Sequence, residues 1–209
     1  MPTDRSLAHR RWPRRLPIFV ALGLLVGGCA HRPVSVSVAP QPVPISTPDA
    51  LLKETFDTLD LTRWREVDVT GKTEYQVAES ALKAVSRGGA SIMLCTLKFH
   101  PDTYPWITWR WKVDEFPKGE NLKTKGGSDA AARVYVYFNT KGLPWQKRNV
   151  DYVWSENLPV GTIIPSAYTK SSMIIVVTSG REQLGKWHTV TRNIAEDYQQ
   201  CFKASRPPE

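Results

Sequence analysis

The stretch Asp129-Ala-Ala-Ala-Arg-Val-Tyr-Val-Tyr-Phe138 decides the fold class, because apolar and polar side chains alternate along it. Every second residue from Val134 onward is apolar, and the residues between them are Arg133, Tyr135 and Tyr137. Successive side chains of a β-strand point to opposite faces, so a period of two indicates a strand with two different faces. The stretch therefore predicts a strand with one apolar face and one aromatic, polar face.

The same alternation recurs on both sides of this stretch, between turns such as Arg87-Gly88-Gly89, Lys141-Gly142 and Ser179-Gly180. The predicted strands are Glu74–Ala78, Leu82–Ser86, Ser91–Leu97, Trp106–Val113, Ala131–Phe138, Val150–Trp154, Met173–Ser179 and Trp187–Thr191. Many short strands without alternating long helices predict an all-β fold. We expect an antiparallel β-sandwich of the jelly-roll or lectin-like type.

One short helix is predicted near the end of the chain. Asn193-Ile-Ala-Glu196 has the form of a capping box, in which the first side chain and the fourth each bond the other's backbone N–H. Ile194, Tyr198 and either Cys201 or Phe202 then fall on one apolar face.

The N-terminal residues predict an export signal. A basic segment precedes the apolar run from Ile18 to Val26, which is about half of the ~20 residues that a membrane-spanning helix needs. The run ends in Leu25-Val-Gly-Gly-Cys29, which resembles a bacterial lipobox and implies that Cys29 carries the lipid. A plain secretory signal that contains a cysteine is the alternative. Ala30, rather than Asp, follows the cysteine, and the resemblance to Gram-negative lipoproteins then implies an outer-membrane protein that faces the periplasm.

These features divide the chain into three parts. Residues 1–28 form the predicted lipoprotein signal peptide, and residues 29–50 form a lipidated, proline-rich tether. Residues 51–209 form the predicted β-sandwich domain.

The basic composition of the chain comes largely from the signal. The formal net charge is +8, but removal of the five arginines and one acid of residues 1–28 lowers it to +4. Hydrophobic residues make up 41% and charged residues 23%, so a packed core is expected and extensive disorder is not. We predict a membrane contact through the lipid on Cys29, and no nucleic-acid partner.

One face of the predicted sheet carries aromatic rings together with hydrogen-bond donors, a combination that suits saccharides because a sugar ring stacks on an aromatic face. The candidate ligand-binding residues are Arg110, Asp129, Arg133, Tyr135, Tyr137, Tyr152 and Trp154. Asp129 is expected to hold Arg133 in place. The alternative is structural: Arg110 and Arg133 pair with Asp129, Asp114 or Asp151, and the aromatic residues form the core.

The sequence contains few features of an enzyme. Nucleophile-elbow, HExxH, P-loop and CxxC motifs are absent, and the histidines are isolated, so no metal or cofactor is predicted. Glu66 and Asp68 would share a strand face but are interpreted as solvated acids. Cys95 and Cys201 either form a disulfide in an oxidising periplasm or are two separate core residues.

Four blocks of the sequence, in order, resemble the bacterial domain-of-unknown-function 3047 family. They are Trp109–Asp114, Asp129–Phe138, Asp151–Trp154, and Val176–Gly180 with Trp187 and Arg192–Tyr198. The resemblance spans roughly residues 55–208 and implies an exported, jelly-roll-like domain without an established reaction. Family members usually continue beyond Pro207-Pro208, so the resemblance also implies that this chain lacks a C-terminal segment.

The function predicted from these observations is a non-catalytic envelope lipoprotein whose β-sandwich binds a saccharide or a related cell-envelope ligand. Two alternatives remain open at this point. One is a structural or assembly lipoprotein that binds another envelope protein. The other is a polysaccharide hydrolase that uses Asp129 and Asp151, since such enzymes place two carboxylates around the bond they cleave.

Overall fold

A computed structural model of the chain describes residues 50–140, 147–204 and 207–208. Four predicted features lie outside the described residues: the signal peptide expected at 1–28, the lipidation expected at Cys29, the tether expected up to residue 49, and the turn expected at Lys141-Gly142. Within the described part of the chain, no helix is long and apolar enough to cross a membrane.

The fold is all-β with one short C-terminal helix, as predicted. The elements are β1 (Trp64–Thr70), β2 (Thr73–Ala78), β3 (Ala81–Ser86), β4 (Ala90–Cys95), β5 (Trp106–Trp111), β6 (Ala132–Tyr137), β7 (Asn149–Ser155), β8 (Ile163–Pro165), β9 (Ser172–Ser179), β10 (His188–Asn193) and α1 (Ile194–Phe202). All the predicted strands are confirmed, with ends that differ by two residues or fewer. Strands β1 and β8 were not predicted.

The largest sheet has the order β6-β7-β9-β8, and β5 pairs with β10 in a second sheet. The strands β1 with β4, and β2 with β3, form two further antiparallel pairs. The pairing of β7 with β9 is parallel, an exception to the antiparallel arrangement that was expected.

The main core lies between the inner face of the four-stranded sheet and the β5–β10 sheet. A smaller apolar cluster around Leu122 lies on the other face of the four-stranded sheet. Tyr152 and Trp154 of β7 are completely buried and contact Trp109 and Trp111 of β5, with ring centroids 5.3 and 6.0 Å apart. Each large side chain buried in this way stabilises the fold by ~1.5–3 kcal/mol. The tryptophans of these strands therefore serve mainly as core residues.

Helix α1 closes one end of this core. Asn193 is its N-cap, and the side-chain oxygen accepts hydrogen bonds from the backbone N–H groups of Ala195 and Glu196. These bonds confirm Asn193 as the predicted cap. The side-chain amide of Asn193 also donates to the carboxylate of Glu196 at 2.9 Å, so the two predicted residues pair, although this bond uses the side-chain amide rather than the backbone N–H that defines a capping box. Ile194 and Tyr198 are buried in the core cluster beneath the helix.

Candidate functional site

The seven candidate residues do not share one face. In the antiparallel register of β6 and β7, Tyr135 lies opposite Asp151, and Val134 lies opposite Tyr152. Directly opposed residues point to the same side of a sheet. The predicted face therefore divides among the core, the outer face of the four-stranded sheet and the outer face of the β5–β10 sheet.

Tyr152 and Trp154 belong to the core, so the prediction that they lie beside Tyr135 and Tyr137 is wrong. Both have no exposed surface. The Tyr152 hydroxyl donates to Asp197 at 2.7 Å, and the Trp154 indole N–H donates to the carbonyl of Gly180 at 3.3 Å. Both polar groups are used inside the protein.

Arg110 also lies apart from the others. It is opposite Thr189 of β10, on the exposed side of the β5–β10 sheet, and its guanidinium stacks over the ring of Trp187. Because the inner side of this sheet packs against the four-stranded sheet, Arg110 and Tyr137 are on opposite sides of the sandwich.

Asp129 does not position Arg133, contrary to expectation. Asp129 is exposed in the loop before β6, whereas Arg133 donates to the carboxylate of Asp151 and to the carbonyl of Ser128, the latter at 2.9 Å. The Arg133–Asp151 ion pair is the structural alternative that the sequence left open. Asp129 and Asp151 therefore differ sharply in accessibility, since Asp151 is only 1% exposed.

Part of the outer face of the four-stranded sheet is apolar, where Val153, Ile174 and Val176 pack against Leu122. The other part, called the tyrosine face here, carries the residues that remain together. They are Arg133, Tyr135, Tyr137, Asn149, Asp151 and Ser172. Nothing in the sequence pattern marked Asn149 and Ser172. They lie in the same row as Tyr137, and Ser172 donates to the side-chain oxygen of Asn149 at 2.8 Å.

Two stacked rings form the accessible part of the tyrosine face. The centroids of Tyr135 and Tyr137 are 5.8 Å apart and their planes differ by 25°. Tyr137 is 49% exposed, while Tyr135 is half-buried. Burial, and to a lesser extent the charge of Asp151, raises the pKa of both hydroxyls, so the rings are neutral phenols that donate and accept hydrogen bonds.

Asp151 lies on β7, directly opposite Tyr135 of β6. Burial raises the pKa of its carboxyl to about 6, although the guanidinium of Arg133 acts in the opposite direction. Among the described residues, no hydrogen-bond donor reaches its Oδ1 atom, which is buried. The site thus holds a carboxylate whose hydrogen-bonding capacity is only partly used.

The loop before β6 fixes the carbonyl of Ser128, which is the second hydrogen-bond partner of Arg133. Gly127 packs so closely against Asn121 that a β-carbon there would lie 2.8 Å from the backbone nitrogen of Asn121. A backbone hydrogen bond of 2.7 Å joins Asn121 to the carbonyl of Gly127, and Tyr168 donates its hydroxyl to the carbonyl of Lys125 at 2.7 Å. These contacts hold the carbonyl of Ser128 beside Arg133.

The structure also shows the state of the two cysteines and of the two acidic residues Glu66 and Asp68. Cys95 and Cys201 are free thiols in the structure rather than a disulfide, and Cys201 packs against the core cluster as the alternative expected. Glu66 and Asp68 are both exposed on β1. No group of residues suited to a metal ion occurs in the described ranges.

A separate cleft of about 400 Å³ lies between the end of β9 and β10. It is lined by Val160, Val177, Thr178, Ser179, Gln183, His188, Thr189 and Val190. No charged side chain lines it, and it includes none of the predicted residues. We therefore place the candidate site at the tyrosine face, where rings, donors and a buried charge occur together.

Fold and site define the class of protein as an all-β sandwich with a polar, tyrosine-bearing sheet face. Residues 62–209 match the family described as "protein of unknown function (DUF3047)", and the chain belongs to this family. No curated protein and no solved structure matches the chain.

Proposed function

We propose that the protein is a non-catalytic, lipid-anchored envelope protein that binds a neutral saccharide at the tyrosine face. The observation that carries this proposal is the stacked pair Tyr135 and Tyr137 beside the Arg133–Asp151 ion pair. Tyr137 offers a ring on which a pyranose C–H face stacks, and Arg133 and Tyr135 offer polar groups for the sugar hydroxyls.

The charge of the site favours a neutral ligand. Arg133 is already neutralised by Asp151, which is nearly inaccessible, so the pair has no net charge at neutral pH. A sugar hydroxyl can accept from a guanidinium that is held in this way without displacing the carboxylate. An anionic ligand would instead compete with Asp151 and leave a buried negative charge unpaired, which is costly.

The rigidity of the site supports binding. Both tyrosines lie on a strand whose neighbour β7 is buried along its whole length, and the Arg133 side chain is held by two partners. Tyrosine also has few rotatable bonds, so little entropy is lost when a ligand orders it. These properties fit a preformed binding face.

The experiment that tests the site is calorimetric titration of the full chain in a non-ionic detergent. The ligands are neutral malto-, cello- and chito-oligosaccharides, and peptidoglycan fragments, which carry carboxylates, serve as the acidic comparison that should bind more weakly. Tyr137→Ala should remove the binding of any neutral oligosaccharide that the native protein binds, and unfolding in urea should confirm that the variant is folded. Tyr104→Ala is the matched control, because Tyr104 is a comparably exposed tyrosine, at 38%, outside the tyrosine face. Equal loss in both variants would contradict the proposed site.

The lipid anchor is a separate part of the proposal and rests on the sequence Leu25–Cys29. Several acyl chains give firm attachment, since each buried methylene contributes ~0.8 kcal/mol. Radiolabelled palmitate should be incorporated into the native protein in a Gram-negative host and not into a Cys29→Ala variant, and the labelled protein should fractionate with the outer membrane. Label in the variant would contradict lipidation at this cysteine.

A further inference from the structure

We infer a second saccharide site, on the outer face of the β5–β10 sheet, that recognises an acidic polysaccharide. The site consists of Trp187, Arg110 and Lys112 and is called the basic patch here. It lies on the opposite side of the sandwich from the tyrosine face and differs from it in charge, so it does not depend on the function proposed above.

The basic patch is built around one exposed indole. Trp187 is 43% exposed and directly precedes β10. The Arg110 guanidinium lies 5.1 Å from the ring centroid, and the Lys112 ammonium lies 5.7 Å from it. Both distances are within the range of cation–π attraction.

Neither cation is neutralised by a contact ion pair in the described part of the chain. No carboxylate among the described residues forms an ion pair with Arg110 or Lys112. Two like charges beside one ring repel each other, and a bound anion would relieve this repulsion. Arg133, in contrast, is neutralised within the protein by Asp151.

A row of hydroxyl groups continues from the basic patch along the same face. Thr189 lies opposite Arg110, and Thr191 lies opposite Thr108, with their hydroxyl oxygens 3.0 Å apart. From Trp187 to Thr191 the strand extends by ~13 Å at ~3.3 Å per residue. The surface therefore offers a stacking ring, two cations for carboxylate or sulfate groups, and hydroxyls for the following sugars.

The strands that carry these groups are fixed from behind. Trp109, Trp111 and Val190 point inward from the same two strands and pack in the core. The outward residues are consequently presented by a rigid sheet, which lowers the cost of binding. This arrangement favours an extended acidic glycan over a ligand that needs a deep cavity.

The test uses the full chain in a non-ionic detergent and compares polygalacturonate with neutral dextran. Native protein should bind polygalacturonate, bind dextran weakly or not at all, and lose affinity as salt is added. The change Trp187→Ala, and separately the double change Arg110→Gln with Lys112→Gln, should weaken binding about tenfold, equivalent to ~1.4 kcal/mol. The matched control is Lys83→Gln with Lys98→Gln, which removes two exposed cations elsewhere.

Three results would overturn the inference. Equal weakening in the Lys83 and Lys98 control would mean that net charge alone attracts the polymer. Equal binding of dextran and polygalacturonate would mean that Arg110 and Lys112 do not contribute to recognition of the polymer. Tighter binding to phosphatidylglycerol vesicles than to polygalacturonate, lost in Trp187→Ala, would assign the patch to a membrane surface. Tyr137→Ala should leave polygalacturonate binding unchanged, so failure of one site is distinguishable from failure of the other.

Discussion

Asp151 accepts a hydrogen bond from Arg133 through one carboxylate oxygen, while its other oxygen is buried without a donor among the described residues. A buried ion pair gains Coulomb energy but loses the hydration of both charges, and the two effects often nearly cancel. The raised pKa of Asp151 indicates that the loss of hydration is the larger effect on the carboxylate. The pair therefore orients Arg133 on the tyrosine face more than it stabilises the sheet.

Removal of only one partner should be far more damaging than removal of both. Arg133→Met leaves the Asp151 carboxylate buried and unpaired, and we expect this to lower the free energy of unfolding by about 3–5 kcal/mol. The double change Arg133→Met with Asp151→Leu should recover much of that loss, as measured by unfolding in urea. If the single and double variants are equally unstable, the two side chains are not energetically coupled.

The pH dependence of stability should also identify Asp151. Its pKa is about 6 in the folded protein and 3.8 in an ordinary aspartate, so the folded state holds this proton more tightly. The contribution of the group to stability is therefore complete below pH 4 and is lost as the pH rises through 6. At ~1.4 kcal/mol for each pKa unit, the loss is on the order of 3 kcal/mol.

The comparison with Asp151→Asn isolates this effect, because the amide does not titrate. Lowered pKa values of exposed groups such as Asp57 and Asp60 act in the opposite direction and are common to both proteins. The difference in unfolding free energy, native minus Asn variant, should decrease between pH 4 and 6.5. An increase over that range would mean that Arg133 lowers the pKa of Asp151 below its ordinary value.

The loop that supports Arg133 should be sensitive to a single methyl group at Gly127. Gly127→Ala would force the β-carbon against the Asn121 backbone, displace Ser128, and cost about 1–3 kcal/mol, as overpacking commonly does. We also expect weaker saccharide binding, because Arg133 loses a fixed acceptor. Gly126→Ala is the matched control, since open space surrounds that position. Similar results for both changes would argue against a role for this close contact.

The strands were predictable, whereas the face of each residue was predictable only in part. β6 alternates clearly because one of its faces is apolar and the other polar. β7 is buried on both faces, so Tyr152 and Asp151 are equally inaccessible and the sequence does not show which of them faces the core. The register with β6 settles this point, and a shift of one residue exchanges the two faces.

Strands β1 and β8 were not predicted because their sequences carry little of the pattern that marks a buried strand. β1 pairs with β4 but contains only a short alternation, in which Val67 and Val69 lie between charged or polar residues. It buries none of its residues completely, so this signal is weak. β8 has three residues, too few for a pattern. The helix was predictable because its signal is local: the cap residue and its partner are three positions apart.

This cap should make a measurable contribution to stability. Asn193→Ala removes the acceptor for two backbone N–H groups at the start of α1, and loss of such a cap typically costs ~1 kcal/mol. Asn193→Ser keeps a capping oxygen and should cost less, as measured by unfolding in urea. Because α1 covers the core through Ile194 and Tyr198, near-ultraviolet circular dichroism should show looser packing in the alanine variant. Equal stability of the two variants would mean that capping is unimportant here.

The two free cysteines predict a particular pattern of alkylation. Burial raises the pKa of the Cys201 thiol to about 12 and also raises that of Cys95, so little reactive thiolate is present at pH 8. Iodoacetamide should modify both residues slowly in the native protein, Cys201 the more slowly, as followed by peptide mass spectrometry. In denaturant without a reductant, both should react rapidly. Modification that requires prior reduction would reveal a disulfide between them and would contradict the arrangement in which Cys201 packs as a free thiol beneath α1.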